Sequence, residues 1–401
     1  MSKAELAAAK RTAILLSVAQ AILGSAAPIA ISMGALAGQY LLGPDKSLAT
    51  APVTGFNVGV ALGAIPAAWL LRKIGGKLGF MSGAIISALG AGLATAALFQ
   101  GSFWFFVFSL AVLGLGGAFV QQIRFAAADN SPSAFKAQAI SWVLGGGIIS
   151  AVLGPQAVIY TREMFAPVMF AGSYAAIVGF SVLGLLVLAP IKFAKVRSAA
   201  EQKIDRDDAR PFREIIAQPK FIIALICAVG SYSLMSFVMT GAPLAMVGCG
   251  LSVDDATLGI QWHIVAMFGP SFFTGNLIAR FGKEKIIAVG LLILVSCALV
   301  AIAGIQLWNF WLSLILLGLG WNFGFIGATA LFTETYRLSE KGKVQGFHDF
   351  VLFGTVALSS LFAGKILDQY GWNTVNIIIF PVVLICLGAL AVQVFRRPRA
   401  I

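Results

Sequence analysis

The feature that most constrains this chain is a recurrence: runs of about twenty mainly apolar residues follow one another with almost no charge inside them. A run of that length crosses the ~30 Å hydrocarbon layer of a bilayer as a helix. A helix also satisfies its own backbone groups where no water can reach them. Twelve runs are predicted, at approximately 12–40, 50–71, 78–99, 102–124, 138–161, 165–189, 221–248, 255–279, 284–304, 307–333, 344–366 and 373–395. The break between the fifth and sixth is placed at "YTREMFAP" (160–167), because Arg162 and Glu163 are costly in lipid. Composition agrees. Hydrophobic residues make up 59% of the 401 and charged residues 11%, against about 25% charged in soluble domains, and the mean hydropathy is +0.92. The predicted fold class is all-α integral membrane.

Charge gives the direction. With the N-terminus in the cytoplasm, 25 of the 28 Lys and Arg fall on the cytoplasmic side, leaving Lys46, Arg162 and Lys365 outside. This predicts a multi-pass protein of the cytoplasmic (inner) membrane with both termini cytoplasmic. Trp104, Trp308, Trp311 and Trp372 begin spans on the outer side, where aromatic belts sit. The net charge of +12 does not mark a nucleic-acid binder, since the basic residues lie in short clusters between apolar runs. The opening "MSKAELAAAKRTAILLSV" reads as an uncleaved first span and not a signal peptide. Cys227, Cys249, Cys297 and Cys386 have no ligand-like spacing, and no metal, nucleotide or dinucleotide motif is present. No cofactor, no enzyme activity and no ATP-driven pumping are expected.

Residues 190–220 form the one long polar stretch and divide the chain into a six-span half at 1–189, a cytoplasmic linker at 190–220 and a second six-span half at 221–401. The halves repeat. "LRKIGGK" (71–77) follows the second span and "ARFGKEK" (279–285) the eighth, with Gly75 and Gly282 207 positions apart. "KAQ" (136–138) and "KVQ" (343–345) open the fifth and eleventh spans at the same offset, and "LGLG" occurs at 113–116 and 317–320.

On these residues the chain resembles the major facilitator superfamily of secondary transporters, whose two parallel six-helix halves are joined by a cytoplasmic loop. That superfamily carries G-x-x-x-D-R-x-G-R-R after its second span. "AWLLRKIGGK" (68–77) matches at Lys73, Gly75 and Lys77, with Ala68 and Arg72 in place of the Gly and Asp. The second copy, "GNLIARFGKE" (275–284), keeps Gly275, Arg280 and Gly282 and has Ala279 at the Asp. "LGP" (153–155) resembles the end of the antiporter motif of drug exporters, but Gly145, Gly146 and Gly147 are out of register with it and an early arginine in the fourth span is missing. "HIVAMFGPSFFTGNLIARFG" (263–282) resembles a subgroup of bacterial transporters of poorly defined substrate, with vitamin importers such as riboflavin carriers one possibility.

The resemblance implies a central cavity lined by spans 1, 4, 7 and 10, with substrate near the midplane. His263 lies nine residues from Asp254, roughly 13–14 Å into the core, in a polar stripe with Ser271 and Thr274. Two readings stand: a proton-responsive or substrate-binding histidine, or a neutral imidazole joining two helices. Arg124, with Gln121 and Gln122, could hold an electron-rich group, or could snorkel or pair with Asp129. Trp321 and Asn322 could stack on and hydrogen-bond a planar ligand, or pack helices. Gln20, Ser25, Asn57, Tyr232, Ser233 and Thr240 are further candidates whose ordinary use is helix packing. A cytoplasmic gate is expected from Arg72, Lys73, Asp129, Arg280, Glu334, His348 and Asp349, with Lys73 near Asp129, Arg280 near Glu334, and Asp349 near Arg72.

The expected function is alternating-access transport of a small organic solute, coupled to protons, by a monomer in the lipid bilayer. Drug or metabolite efflux by an antiporter is the alternative, and a non-transporting receptor or scaffold on the same fold is the rival from another class.

Overall fold

The computed structural model describes residues 3–132, 135–191, 193 and 210–395. Most of the 190–220 linker and both extreme termini lie outside the described residues. The first half contains α1 (Lys3–Leu23), α2 (Ala26–Leu41), α3 (Ala51–Ile74), α4 (Gly76–Phe99), α5 (Phe103–Val120), α6 (Ile123–Asp129), α7 (Lys136–Thr161) and α8 (Ala171–Leu188). A short α9 (Phe212–Ile216) precedes the second half: α10 (Pro219–Gly248), α11 (Val253–Phe268), α12 (Ser271–Phe281), α13 (Lys283–Ile302), α14 (Leu307–Phe332), α15 (Lys341–Ile377) and α16 (Ile379–Phe395).

Among the described residues, ten helical stretches are long and apolar enough to cross a bilayer, and α11 with α12, bent by 42°, forms a further broken span. One stretch, Lys343–Gln393, has 51 residues. At 1.5 Å per residue it would reach about 75 Å, more than twice the hydrocarbon thickness. It turns at Gly371 (φ 77°, ψ 177°), so it crosses twice. The total is twelve spans, as expected from the apolar runs. Two are less regular than their runs suggest. The first breaks at Gly24–Ser25 and the fourth at Gln121–Gln122. The sixth begins at Ala171 and not at 165, because residues 162–170 turn back on themselves, with the Phe170 N–H donating to Arg162 O at 2.7 Å.

The repeat has a physical basis in glycine. A Cβ on Gly114 would lie 2.1 Å from Phe56 O, and one on Gly318 would lie 2.4 Å from His263 O. Phe56 and His263 are 207 apart. A Cβ on Gly116 would meet Gly83 O at 2.8 Å, and one on Gly320 would meet Gly290 O at 2.9 Å. Gly83 and Gly290 are again 207 apart. In each half the "LGLG" glycines therefore let one helix touch two neighbours backbone to backbone, the small-residue packing that membrane helices favour. Gly75 (φ 83°) and Gly282 (φ 90°) make the same left-handed turn after α3 and α12, a conformation that a side chain penalises.

Trp104 and Trp308 are exposed, as belt residues would be. Trp372 is not. It is buried against Phe310, with ring centroids 5.2 Å apart.

Candidate functional site: a cavity between the halves

Polar contacts join the halves on the side opposite the basic loops. Arg162, following α7, ion-pairs with Asp254 in the first turn of α11. Deeper in, Gln156 Nε2 donates to Gln261 Oε1 at 3.0 Å. Thr50 Oγ1 donates to Leu361 O at 3.2 Å, and Thr54 Oγ1 and Ser360 Oγ are 3.1 Å apart. A Cβ on Gly364 would stand 2.5 Å from Thr50 Oγ1, so the seal is closely packed. Asn57 lies one turn beyond Thr54 on the same face of α3, half-buried beneath the seal.

On the basic side none of these contacts is found among the described residues. Arg124 on α6 lies deep among protein atoms, yet its side chain is solvent-exposed, so it lines a cavity. Its electrostatic neighbours are Tyr232 on α10 and Asp349 on α15, both in the other half. It forms no ion pair with Asp129 or any other carboxylate among the described residues. Gln121, at the break one turn away, is also exposed.

The facing wall is aromatic. Tyr232 meets Trp321 edge-on at 5.3 Å, Phe325 at 5.0 Å and Phe353 at 6.0 Å. Trp321 and Phe325, one turn apart on α14, stack at 5.2 Å with 15° between planes. Phe268 closes the group at 6.4 Å from Trp321. The Trp321 Nε1–H is buried and has no hydrogen-bond partner among the described residues. Asp349 lies one turn before Phe353 and so on the same face of α15. Its Oδ1 is 3.0 Å from His348 Nδ1, and its side chain is 52% exposed. His348 is buried against the Phe332 ring at 4.4 Å.

Other expected residues point elsewhere. His263 is fully buried and does not line the cavity: its Nδ1 bonds Leu314 O of α14 at 2.8 Å. The reason is angular. Gln261, which faces the other half, is two residues and so about 200° away around the helix. Asn322 is also fully buried. It donates to Met267 O at 2.6 Å and Ser271 Oγ at 2.7 Å, and it accepts from Thr274 Oγ1 at 2.6 Å. The polar stripe of His263, Ser271 and Thr274 exists, but it is a seam against α14. Gln20 is half-buried near the α1–α2 break, where a Cβ on Gly24 would meet its Nε2 at 3.0 Å.

None of the three expected gate pairs forms among the described residues. Glu334 ion-pairs with Lys220 and Lys283, tying α10, α13 and the end of α14 together within one half. Arg280 lies over Phe281 at 5.1 Å and Lys73 over Trp69 at 4.6 Å. Arg124 has Asp349 among its electrostatic neighbours.

Sequence reasoning missed the outer seal and the aromatic partners Phe268, Phe325 and Phe353. It also missed a latch outside the spans. Arg210 donates through Nε and Nη2 to both oxygens of Glu340 at 2.8 Å, and its backbone N–H adds a third bond at 2.9 Å. Phe212 packs edge-on against Phe347 at 5.4 Å. The Arg210 guanidinium holds the Glu340 carboxyl down to about 2.

Twelve spans with an internal repeat are the architecture of a class of secondary transporters. The family model of the Major Facilitator Superfamily matches residues 12–351 and 264–400, and the chain belongs to that superfamily. It is 47% identical to a protein named Riboflavin transporter RfnT from Brucella anthropi, with 96% of each chain covered. It is 29% identical to an uncharacterized MFS-type transporter, YddS, of Bacillus subtilis over 92% of this chain and 87% of that one. Among solved structures it is similar to FucP in the outward conformation, with a TM-score of 0.56, 17% identity, and 94% and 97% of the two chains covered. The chain is a multi-pass membrane transporter of a small molecule, and not an enzyme.

Proposed function

We propose that this chain is a proton-coupled secondary transporter of riboflavin, working by rocking of the halves 1–189 and 221–401 that alternately closes and opens the outer seal. One observation carries the reading: the Tyr232–Trp321–Phe325 aromatic cluster lies near an exposed Arg124 of the other half, which has Tyr232 as an electrostatic neighbour. A large planar heteroaromatic solute suits such a site, since it needs an apolar face to stack on and a few polar groups to orient it. The 47% identity to a named riboflavin transporter supports the same solute. For the proton we favour Asp349 with His348 over His263, because Asp349 reaches solvent in the cavity and His263 does not.

The test is riboflavin uptake by proteoliposomes under an imposed pH gradient. Saturable uptake that collapses with an uncoupler supports the reading, and Trp321→Ala should weaken riboflavin affinity by about tenfold or more, on the scale of a lost aromatic stack. Purified protein that binds no riboflavin sinks it.

The basic side is assigned to the cytoplasm, making the structure inward-open. The native protein carries its own reporter. Cys227, Cys297 and Cys386 are buried, while Cys249 is exposed at the opposite end of α10. An impermeant maleimide should label intact cells at Cys249, and Cys249→Ser should abolish the signal. Labelling that requires permeabilised cells contradicts the orientation.

A further inference from the structure

The aromatic wall can hold a ring but cannot identify it, because every planar solute has a π face. Identity has to come from the polar groups at the edge of the wall. Two ionisable groups are placed there, one from each half. Arg124 is exposed in the cavity, forms no ion pair among the described residues, and has Asp349 and Tyr232 as its electrostatic neighbours. Asp349 is half-exposed and one turn from Phe353. Its Oδ1 accepts from His348 Nδ1, which leaves Oδ2 free of partners among the described residues.

Their chemistry is complementary. A guanidinium offers only donors and an ionised carboxylate only acceptors. As electrostatic neighbours from opposite halves, they offer a donor and an acceptor to a solute beside the aromatic cluster. A planar ring whose edge reads C=O, N–H, C=O presents the matching acceptor and donor. The pyrimidinedione end of an isoalloxazine has that edge, and its opposite, dimethylbenzene end has neither group.

We propose that the cavity selects its solute by this imide edge, with Arg124 donating to a ring carbonyl and Asp349 accepting the hydrogen of the ring N–H. The inference rests on the riboflavin reading for the ring and adds the recognition element. It makes Asp349 and Arg124 specificity determinants that come from opposite halves. The ring edge therefore bridges the two bodies that move, while the stacking wall lies mostly within one.

The experiment is calorimetric titration of the detergent-purified full chain with riboflavin and with 3-methylriboflavin, which carries a methyl group in place of the imide hydrogen. Wild type should bind the methylated compound about tenfold or more weaker, the scale of a hydrogen bond to a charged group. In Asp349→Ala, riboflavin should weaken by a similar factor and the two ligands should bind alike, since the cycle isolates their shared contact. Arg124→Ala should weaken both ligands together and leave the discrimination in place, and it serves as the second arm if Asp349→Ala does not fold. Equal binding of the two ligands by wild type overturns the inference while riboflavin binding stands. Discrimination that persists in Asp349→Ala overturns the assignment to Asp349. Failure of wild type to bind riboflavin at all overturns both this inference and the proposed function.

Discussion

His263 and Gln261 sit two residues apart on α11, and the turn between them decides what each does. Gln261 crosses to the other half, whereas His263 bonds a backbone carbonyl inside its own half. A sequence reveals that a titratable side chain lies in an apolar run. It does not fix the phase of the helix relative to the cavity, because the faces carrying Gln261 and His263 are both covered by protein and both carry a polar side chain. Trp321 and Asn322 divide in the same way: adjacent residues point about 100° apart, one into the aromatic wall and one into the α11–α12 bend. The placement of His263 predicts the outcome of two substitutions. His263→Gln can replace the bond to Leu314 and should leave pH-driven transport at the wild-type level. His263→Leu should lower thermal stability by about 0.6–2 kcal/mol, the range for a lost interhelical hydrogen bond. A His263→Gln protein that exchanges substrate but cannot be driven by a pH gradient would restore the histidine to the coupling role.

At the scale of elements, the twelve runs were legible because bilayer thickness sets helix length, and the repeat because matched glycines permit matched close approaches. The bend after Phe268 was less legible. Pro270 marks a break, but only the contact with Asn322 explains how the freed Met267 carbonyl is satisfied. The Arg210–Glu340 latch left no sequence signal at all, since it joins residues 130 apart through loops. Its pH behaviour follows from the direction of the shift. A carboxyl lowered from an ordinary 4.5 to about 2 contributes its full stabilisation above 4.5 and loses it only as pH falls toward 2. Hydrogen exchange of residues 210–216 should therefore show no added opening attributable to Glu340 between about pH 8 and pH 5, once the intrinsic rate is corrected for. Glu340→Gln should raise exchange there at neutral pH. A latch that loosens near neutral pH in the wild type would show that another group holds it.

For the whole molecule, what matters is which side the halves touch on. Gate residues could be assigned to the basic side from sequence, but the pairs among them could not be checked in a state where that side is open. The seal on the other side was invisible because its members are ordinary: two glutamines, two threonines, a serine, and an Arg–Asp pair separated by 92 residues. Cross-half contacts of this kind favour one state over the other by their differential free energy and nothing more. Arg162 is mostly covered, while Asp254 is 42% exposed, so solvent screens the pair. A partly exposed pair contributes about 0–1 kcal/mol, which at its upper end is about a fivefold change in the ratio of states. Asp254→Asn should therefore raise the outward-open population by up to about fivefold, with no change in fold. Spin labels at Lys77→Cys and Lys285→Cys, in a Cys249→Ser background, sit at the basic ends of α4 and α13 and report that shift directly. Closure of the basic side brings the two half-bundles together there, so the shorter-distance population should grow in Asp254→Asn and grow further when Gln261→Ala removes the second contact. Distance distributions that stay the same in both variants would mean that the close packing around Gly364 and Thr50 holds the outer side shut without help from the polar contacts.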